Sequence, residues 1–421
     1  MYCMSYKEIK KHKYMREDTE KEFHSRFDST SAMKTSFYIS PIENGVKLKS
    51  MTRELWVNSI PEITSLVNDV QKASRALVEY EMKLSKNQYN EFIEFLLIEE
   101  MQATNEYEGV KSTKQELKEA LDSLHSETSS HRFKGLSLLY SHVGKMDKKR
   151  IYTPKEIREI YDELVSNEIT DESKIEKGSM FRKDKVTVGD RFSTVHVGED
   201  PERIADQLQE MLNFLNTEDR EFSSIIKVLV SHFMFEYIHP FYDGNGRVGR
   251  YILAKYLSFE LDAFSSLLMS SSVVSNRQKY EKSFVITTDK DNFAEGTFFV
   301  LNLLDLLQEA QQRIDYLLED KIRLTNRVKK FIDYKNLTPF QDEIFWIYFD
   351  HGIFGNETKT LTRKDIRKHF ADGEWSEHKQ RKADTYLEEE GMIERVGENP
   401  AKYRISPYFI NSLKKSDGLS D

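Results

Sequence analysis

The chain is poor in cysteine. Cys3 is the only one among 421 residues, which excludes an internal disulfide and a cysteine-based zinc site. Long apolar runs are missing too. None approaches the roughly 20 residues that a membrane span requires. The first residues, MYCMSYKEIKKHKYMRED, lack the apolar centre of a secretion signal, so a cytoplasmic location and no membrane partner are expected. Excess positive charge is also absent. With 62 Lys and Arg against 71 Asp and Glu, the net charge is −9. That excludes broad nonspecific binding of nucleic acid by the whole chain and leaves room for a local basic patch. There is no internal repeat and no low-complexity segment. What is present is a composition of 38% hydrophobic and 32% charged residues, which describes a soluble chain long enough for two or three domains.

The pattern along the chain is mostly helical. Residues 1 to 60 show no sustained period and are expected to form an arm or a peripheral element. From Pro61, Ile63, Leu66, Val67, Val70 and Ala73 recur at helical steps. A second helix is predicted over Asn87 to Thr104, and a weaker one starts near Ser112. Between Lys185 and Gly198 the texture changes. KVTVGDRFSTVHVG carries β-branched and aromatic residues on both sides of Gly189-Asp190, which reads as a β-hairpin. Helical periodicity returns at Pro201 and runs through FSSIIKVLVSHFMFEYI. A long helix is predicted from Thr297 to Leu324, with a domain boundary near Arg327 to Asn336. The expected domains are an N-terminal arm and helical region (1–86), a core (87–326) and a C-terminal module (337–410).

The most informative stretch is IHPFYDGNGRVGR, Ile238 to Arg250. Pro240 cannot continue the preceding apolar helix, so His239 falls at its end. Phe241 is apolar between polar neighbours and anchors the loop. Gly244, Asn245 and Gly246 precede another helical pattern, and glycines at a helix N-terminus form a site where backbone N–H groups meet an anion. Arg247 and Arg250 are three residues apart, hence on one face of the first turn. Two guanidiniums beside such amides suit a polyphosphate better than a single carboxylate. Asp243 makes sense beside an anion if it binds Mg²⁺ that bridges the phosphates. His239, near its ordinary pKa of about 6.5, is then a general base for a hydroxyl that attacks phosphorus. His232, two helical turns before His239, is expected to be a core residue, since no third metal ligand is visible.

HPFYDGNGRVGR matches the Fic family motif position for position: histidine, any residue, Phe, any residue, an acid, Gly-Asn-Gly-Arg, two residues, Arg. The similarity extends to HFMFEYIHPF and SNRQKYEKSF and covers roughly residues 90 to 310. The resemblance implies transfer of AMP from ATP to a Ser, Thr or Tyr hydroxyl of a target protein. It implies His239 as base, Asp243 as magnesium ligand, Gly244, Asn245 and Gly246 as anion hole, and Arg247 and Arg250 on the phosphates. The hairpin corresponds to a flap that clamps the target segment, although HVGEDPER stands where relatives carry a proline-rich end. Asn276 and Tyr280 fall where the family contacts the base or ribose. TNEYEG, Thr104 to Gly109, resembles the family's inhibitory helix (87–109). On that resemblance Glu108 pairs with Arg250 in the place of the ATP γ-phosphate, and some such relatives also remove AMP.

Residues 337 to 410 read as three helices and a hairpin and resemble a winged helix, with Gly391 ending the third helix and Lys402 in the wing. His378, Lys379, Arg381 and Lys382 cluster where a reading head would meet DNA, while Glu388, Glu389 and Glu390 on the same helix would repel it. DNA, a protein and a second copy of the chain are all open as partners of this module. The expected architecture is a Fic-type helical core with a β-hairpin flap and a C-terminal winged-helix domain. An ATP-sensing DNA-binding regulator with little catalysis, or a transferase of another nucleotide or a phosphoryl group, are the alternatives.

Overall fold

The computed structural model describes residues 6–125, 131–165, 173–176, 178–189, 194–218, 221–355, 360–371 and 373–415. It is mostly helical. The chain forms two compact units, one of Met1–Arg75 with Leu97–Gln311, the other of Ala76–Leu96 with Gln312–Asp421. Five of the eight prolines (Pro61, Pro154, Pro201, Pro339 and Pro407) are first residues of helices, where a missing N–H costs nothing.

The first unit begins with helices α1 (Ile9–Tyr14) and α2 (Thr19–Phe27). Strand β1 (Ala32–Ile39) then pairs antiparallel with β4 (Arg53–Asn58), and between them lies the small pair β2 (Ile42–Glu43) and β3 (Val46–Lys47). The expected arm is therefore a folded element. Met33, Thr35, Phe37 and Ile39 all point inward, a period of two. Trp56 is fully buried against Phe23 and Phe293, and its indole donates to the Phe293 carbonyl at 3.0 Å.

Helices α3 (Pro61–Glu81) and α4 (Lys86–Tyr107) follow, each with the division between units inside it. Thr113 and Glu116 form a capping box that opens α5 (Lys114–Asp122). Next come α6 (Lys134–Gly144), α7 (Pro154–Val165) and the antiparallel strands β5 (Thr187–Gly189) and β6 (Thr194–Val197). The hairpin thus forms where expected, with Asp190 of its tip outside the described residues. Helix α8 (Ile204–Asn216) leads to α9 (Ser224–Ile238) and α10 (Asn245–Glu260). Helix α9 is apolar nearly all round, and so it is buried, with α8 and α10 against it. Short helices α11 (Ala263–Ser266) and α12 (Met269–Ser275) precede α13 (Arg277–Thr288).

Helix α14 (Thr297–Lys335) is 39 residues long. It continues through the stretch where the sequence suggests a boundary, because Val328 and Ile332 extend the buried stripe begun by Leu318 and Leu324. The second unit continues with α15 (Pro339–Ile353), β7 (Leu361–Thr362), α16 (Arg363–Arg367), α17 (Glu377–Glu389), β8 (Ile393–Glu398), β9 (Ala401–Ile405) and α18 (Pro407–Lys415). Its three-stranded sheet has the order β7-β9-β8. Gly391 ends α17 at φ 69°, and Lys402 lies in β9. Buried Asp384 joins α15 to α16, accepting from Tyr348 Oη at 3.1 Å and Arg363 Nε at 2.9 Å. No helix among the described residues is long and apolar enough to cross a membrane.

Candidate active site

His239 closes α9 in a left-handed conformation, φ 53° and ψ 63°. A β-carbon there costs about 1–2 kcal/mol, and the following Pro240 already disfavours a helical residue before it. The strain is held by bonds from elsewhere. Helix ends leave carbonyls without partners, and the last three here are taken by the hairpin and its approach. His196 Nε2 donates to the Tyr237 carbonyl at 2.9 Å. The Glu199 amide donates to Ile238 at 3.0 Å, and Arg182 Nε to His239 at 2.8 Å. Buried Arg182 also donates to the Glu199 carbonyl at 2.6 Å and to Asp184 at 2.7 Å, fastening the hairpin's entry and exit together. Gly198 makes room for this, since a Cβ there would lie 2.5 Å from Arg182 Nη2.

The loop after His239 is anchored as its composition predicts. Phe241 is fully buried and stacks on Tyr161 at 3.8 Å between ring centroids. Asn245 locks the turn with its side chain, accepting from the Phe241 amide at 2.9 Å and donating to the Phe241 carbonyl at 2.8 Å. Its side chain is thereby committed to holding the turn. Gly244, at φ 81°, is the N-cap of α10, and its amide donates to Asp243 Oδ1 at 2.6 Å.

A cavity of about 570 Å³ opens over this turn. His239, Gly246, Arg250 and Tyr280 line it, with Glu108 and Tyr107 from the end of α4 and His196 from the hairpin. Arg250 is 1% exposed and is gripped by α4: Nε donates to Thr104 Oγ1 at 2.9 Å, Nη2 to Glu108 Oε1 at 2.7 Å. The Glu108 carboxylate lies where a Cβ of residue 246 would be, 2.2 Å from that point. Glycine at 246 is thus required for the carboxylate to reach the start of α10. Tyr107 adds a second hold. Its ring lies between the guanidiniums of Arg250 and Arg277, at 4.6 and 4.5 Å, and its hydroxyl donates to Glu281 at 3.1 Å.

Burial sets the protonation of the histidines. It lowers His239 to about 4, with the Arg182 charge acting in the same direction and Glu108 opposing. His239 is therefore a neutral imidazole at neutral pH, well below the ordinary value expected from the sequence. His232 falls to about 3 for the same first reason and bonds the Tyr280 hydroxyl at 2.8 Å.

Not every expected residue meets at the cavity. Arg247 is buried but does not line it; with Asp243 it lies near enough to Tyr161 to act on that hydroxyl with opposite sign. Asp243 is exposed at the turn. No group of three His, Cys, Asp or Glu side chains among the described residues is arranged to hold a metal ion. Asn276 stands between α12 and α13, where its amide donates to the Ser272 carbonyl at 3.2 Å and to Glu309 at 3.3 Å. It works there as a helix-end residue, away from the cavity. Conversely, Arg182, His196, Tyr107 and Glu236 belong to the site and escape the motif, because their roles depend on contacts across 41 to 174 residues of sequence or on the company of one helix.

Residues 151–257 match the Fic/DOC family profile. That span includes the hairpin, His239 and Arg250, and leaves Glu108 and Tyr280 outside. A relative from Aquifex aeolicus, described as a probable protein adenylyltransferase, is 30% identical over 173 residues, 39% of this chain and 48% of the relative. The chain thus spans about half the length of that relative. Among solved structures, a Fic family protein from Desulfovibrio desulfuricans G20 superposes with a TM-score of 0.50 at 18% identity, over 83% of this chain and 97% of that one. A Fic domain containing signaling protein from Bacteroides thetaiotaomicron gives 0.46 at 18% identity, over 61% and 95%. The two comparisons agree: residues 151–257 match the Fic/DOC profile in sequence, and the chain's fold is similar to that of a solved Fic family protein.

Proposed function

We propose that this chain is a protein adenylyltransferase with a built-in brake. In this reading the triphosphate of ATP lies on the first turn of α10, held by Arg250 and by the amides of Asn245 and Gly246, the Gly244 amide being bonded to Asp243. A Ser, Thr or Tyr hydroxyl of a target protein, laid along the hairpin, attacks the α-phosphorus. Its proton passes to His239, the new O–P bond forms, and the bond from the α-phosphorus to the bridging oxygen breaks to release pyrophosphate. Arg247, buried beneath the turn, supports the same positive potential. Tyr280 borders the nucleotide, and Asn276 acts on it only through the placement of α13. Mg²⁺ would be held by Asp243 with phosphate oxygens and water, a donor set that this ion accepts. It would neutralise phosphate charge.

The observation that carries the reading is the Glu108–Arg250 pair. A carboxylate bonded at 2.7 Å to a buried guanidinium, in the space left by Gly246, is a stand-in for a phosphate. While Glu108 stays, ATP cannot present its α-phosphorus correctly, so the resting enzyme is largely off. Removal of AMP with help from Glu108 is compatible with the same geometry. A test uses wild type, Glu108→Gly, and Glu108→Gly with His239→Ala, each incubated with α-labelled ATP, Mg²⁺ and cell lysate. Label on protein with the single variant alone supports the reading. ATP bound in all three with label in none favours the nucleotide-sensing alternative, and a preference for another triphosphate favours transfer of a different group. The exposed His378, Lys379, Arg381 and Lys382 at the start of α17 make duplex DNA, beside a target protein or a second copy, the partner to try for the second unit.

A further inference from the structure

Glu236 is the one acidic residue of the mostly apolar helix α9, three residues before His239. Its side chain borders the same cavity. Oε1 is buried and has no hydrogen-bond partner among the described residues. A buried polar atom is rarely left so unless something completes it. The room it occupies is again made by a glycine: a Cβ on Gly249 would lie 2.2 Å from Oε1. The groups that face it are Arg250 on α10, Glu108 at the end of α4, Tyr280 on α13 and His239 at the end of its own helix. Arg250 spends its Nε and Nη2 on Thr104 and Glu108 and leaves Oε1 unanswered.

We propose that Glu236 is a nucleotide-binding residue, a neutral carboxylic acid that donates its O–H to an oxygen of the bound nucleotide. This rests on the nucleotide reading above. Burial holds the carboxyl up at about 8, with Arg250 opposing and Glu108 assisting. A carboxylate in this place would repel a triphosphate; the acid offers it a donor. Binding is then present while the carboxyl is protonated and lost as pH rises through its pKa, which lies below that value in Glu108→Gly because Glu108 helps to raise it.

The test is calorimetric titration of three proteins: Glu108→Gly, and the same chain with Glu236→Gln or Glu236→Ala. Each is titrated with ATP and with inorganic tripolyphosphate between pH 6.5 and 9.5. Glu236→Ala should weaken ATP about 10-fold, the loss of one hydrogen bond to a charged or polar oxygen. Glu236→Gln, which keeps a donor and cannot ionise, should stay within about twofold of its parent and lose the alkaline decline. An equal loss with tripolyphosphate would assign the contact to a phosphate oxygen; a loss with ATP alone would assign it to the ribose. If Glu236→Ala binds like its parent at every pH, or Glu236→Gln is as weak as Glu236→Ala, the proposal fails. If the parent binds no ATP at all, it is the nucleotide reading that fails.

Discussion

Two helix ends meet at the cavity, and they are built differently. Helix α4 closes itself. Gly109 takes the left-handed position at φ 71°, and the amides of Glu108, Gly109 and Val110 return to carbonyls of Asn105 and Glu106. Helix α9 ends on a strained histidine whose own and neighbouring carbonyls are capped by Arg182, His196 and Glu199, 39 to 57 residues away. The contrast follows the tasks proposed for each. A base must be over-determined in position, and strain persists only where the surroundings enforce it. A brake must come away, so its backbone closes on itself, and Arg250 is held by the side chains of Thr104, Tyr107 and Glu108 and by one backbone group, the Thr104 carbonyl.

The contrast can be broken from either side. In the Glu108→Gly background, His239→Ala should cut AMP transfer by about 10³, within the range for a lost general base; labelled transfer measured at saturating ATP checks it, and a loss under tenfold would remove His239 from that role. Glu108→Gly alone should raise transfer by about 10- to 100-fold, the range that one charge-assisted hydrogen bond of about 1.5–3 kcal/mol allows. Arg182→Met should lower kcat about tenfold while leaving the affinity for ATP near its parent, since it loosens the histidine and not the anion seat; a rise in KM instead would place Arg182 in binding. The acid limb of the rate sharpens the point. The base is active when neutral, and its value of about 4 in the ligand-free site falls further once Glu108 is gone, because Glu108 raises it. Transfer by Glu108→Gly should therefore stay flat between pH 7 and 5, whereas an unperturbed imidazole would lose about tenfold per unit below 6.5. The smallest effect is expected at Gly109→Ala. Nothing lies within 4 Å of the added methyl, so the change costs only the backbone term, about 1 kcal/mol in urea unfolding.

Much of the site was legible because it is contiguous. His239, the glycine turn and Arg250 lie on one short stretch, and local rules place a histidine at a helix end and glycines at a helix start. Glu108 could be read only beside that stretch, since its own surroundings are those of an ordinary helix terminus. The strands and helices within the first 60 residues were not legible for a different reason. The strand Met33 to Ile39 pairs, with a register shift, with Arg53–Asn58, and Trp56 of that partner strand is buried against Phe293, more than 230 residues away. The pKa of His239 was illegible for the same cause: burial and Arg182 are tertiary facts. Asn276 was assigned by position in a resemblance, and the helix junction that consumes its amide has no mark in the sequence.

The missing β-carbon of Gly246 has one more consequence, for anyone who measures binding. In the reading proposed above the brake and the anion share one volume, so a ligand that uses this seat competes with a group tethered to the same chain. Its apparent affinity for wild type equals the intrinsic one multiplied by the fraction of molecules in which Glu108 is away. A compound collection screened against the resting protein would therefore rank molecules that avoid the seat above those that fill it, and the order would invert with Glu108→Gly.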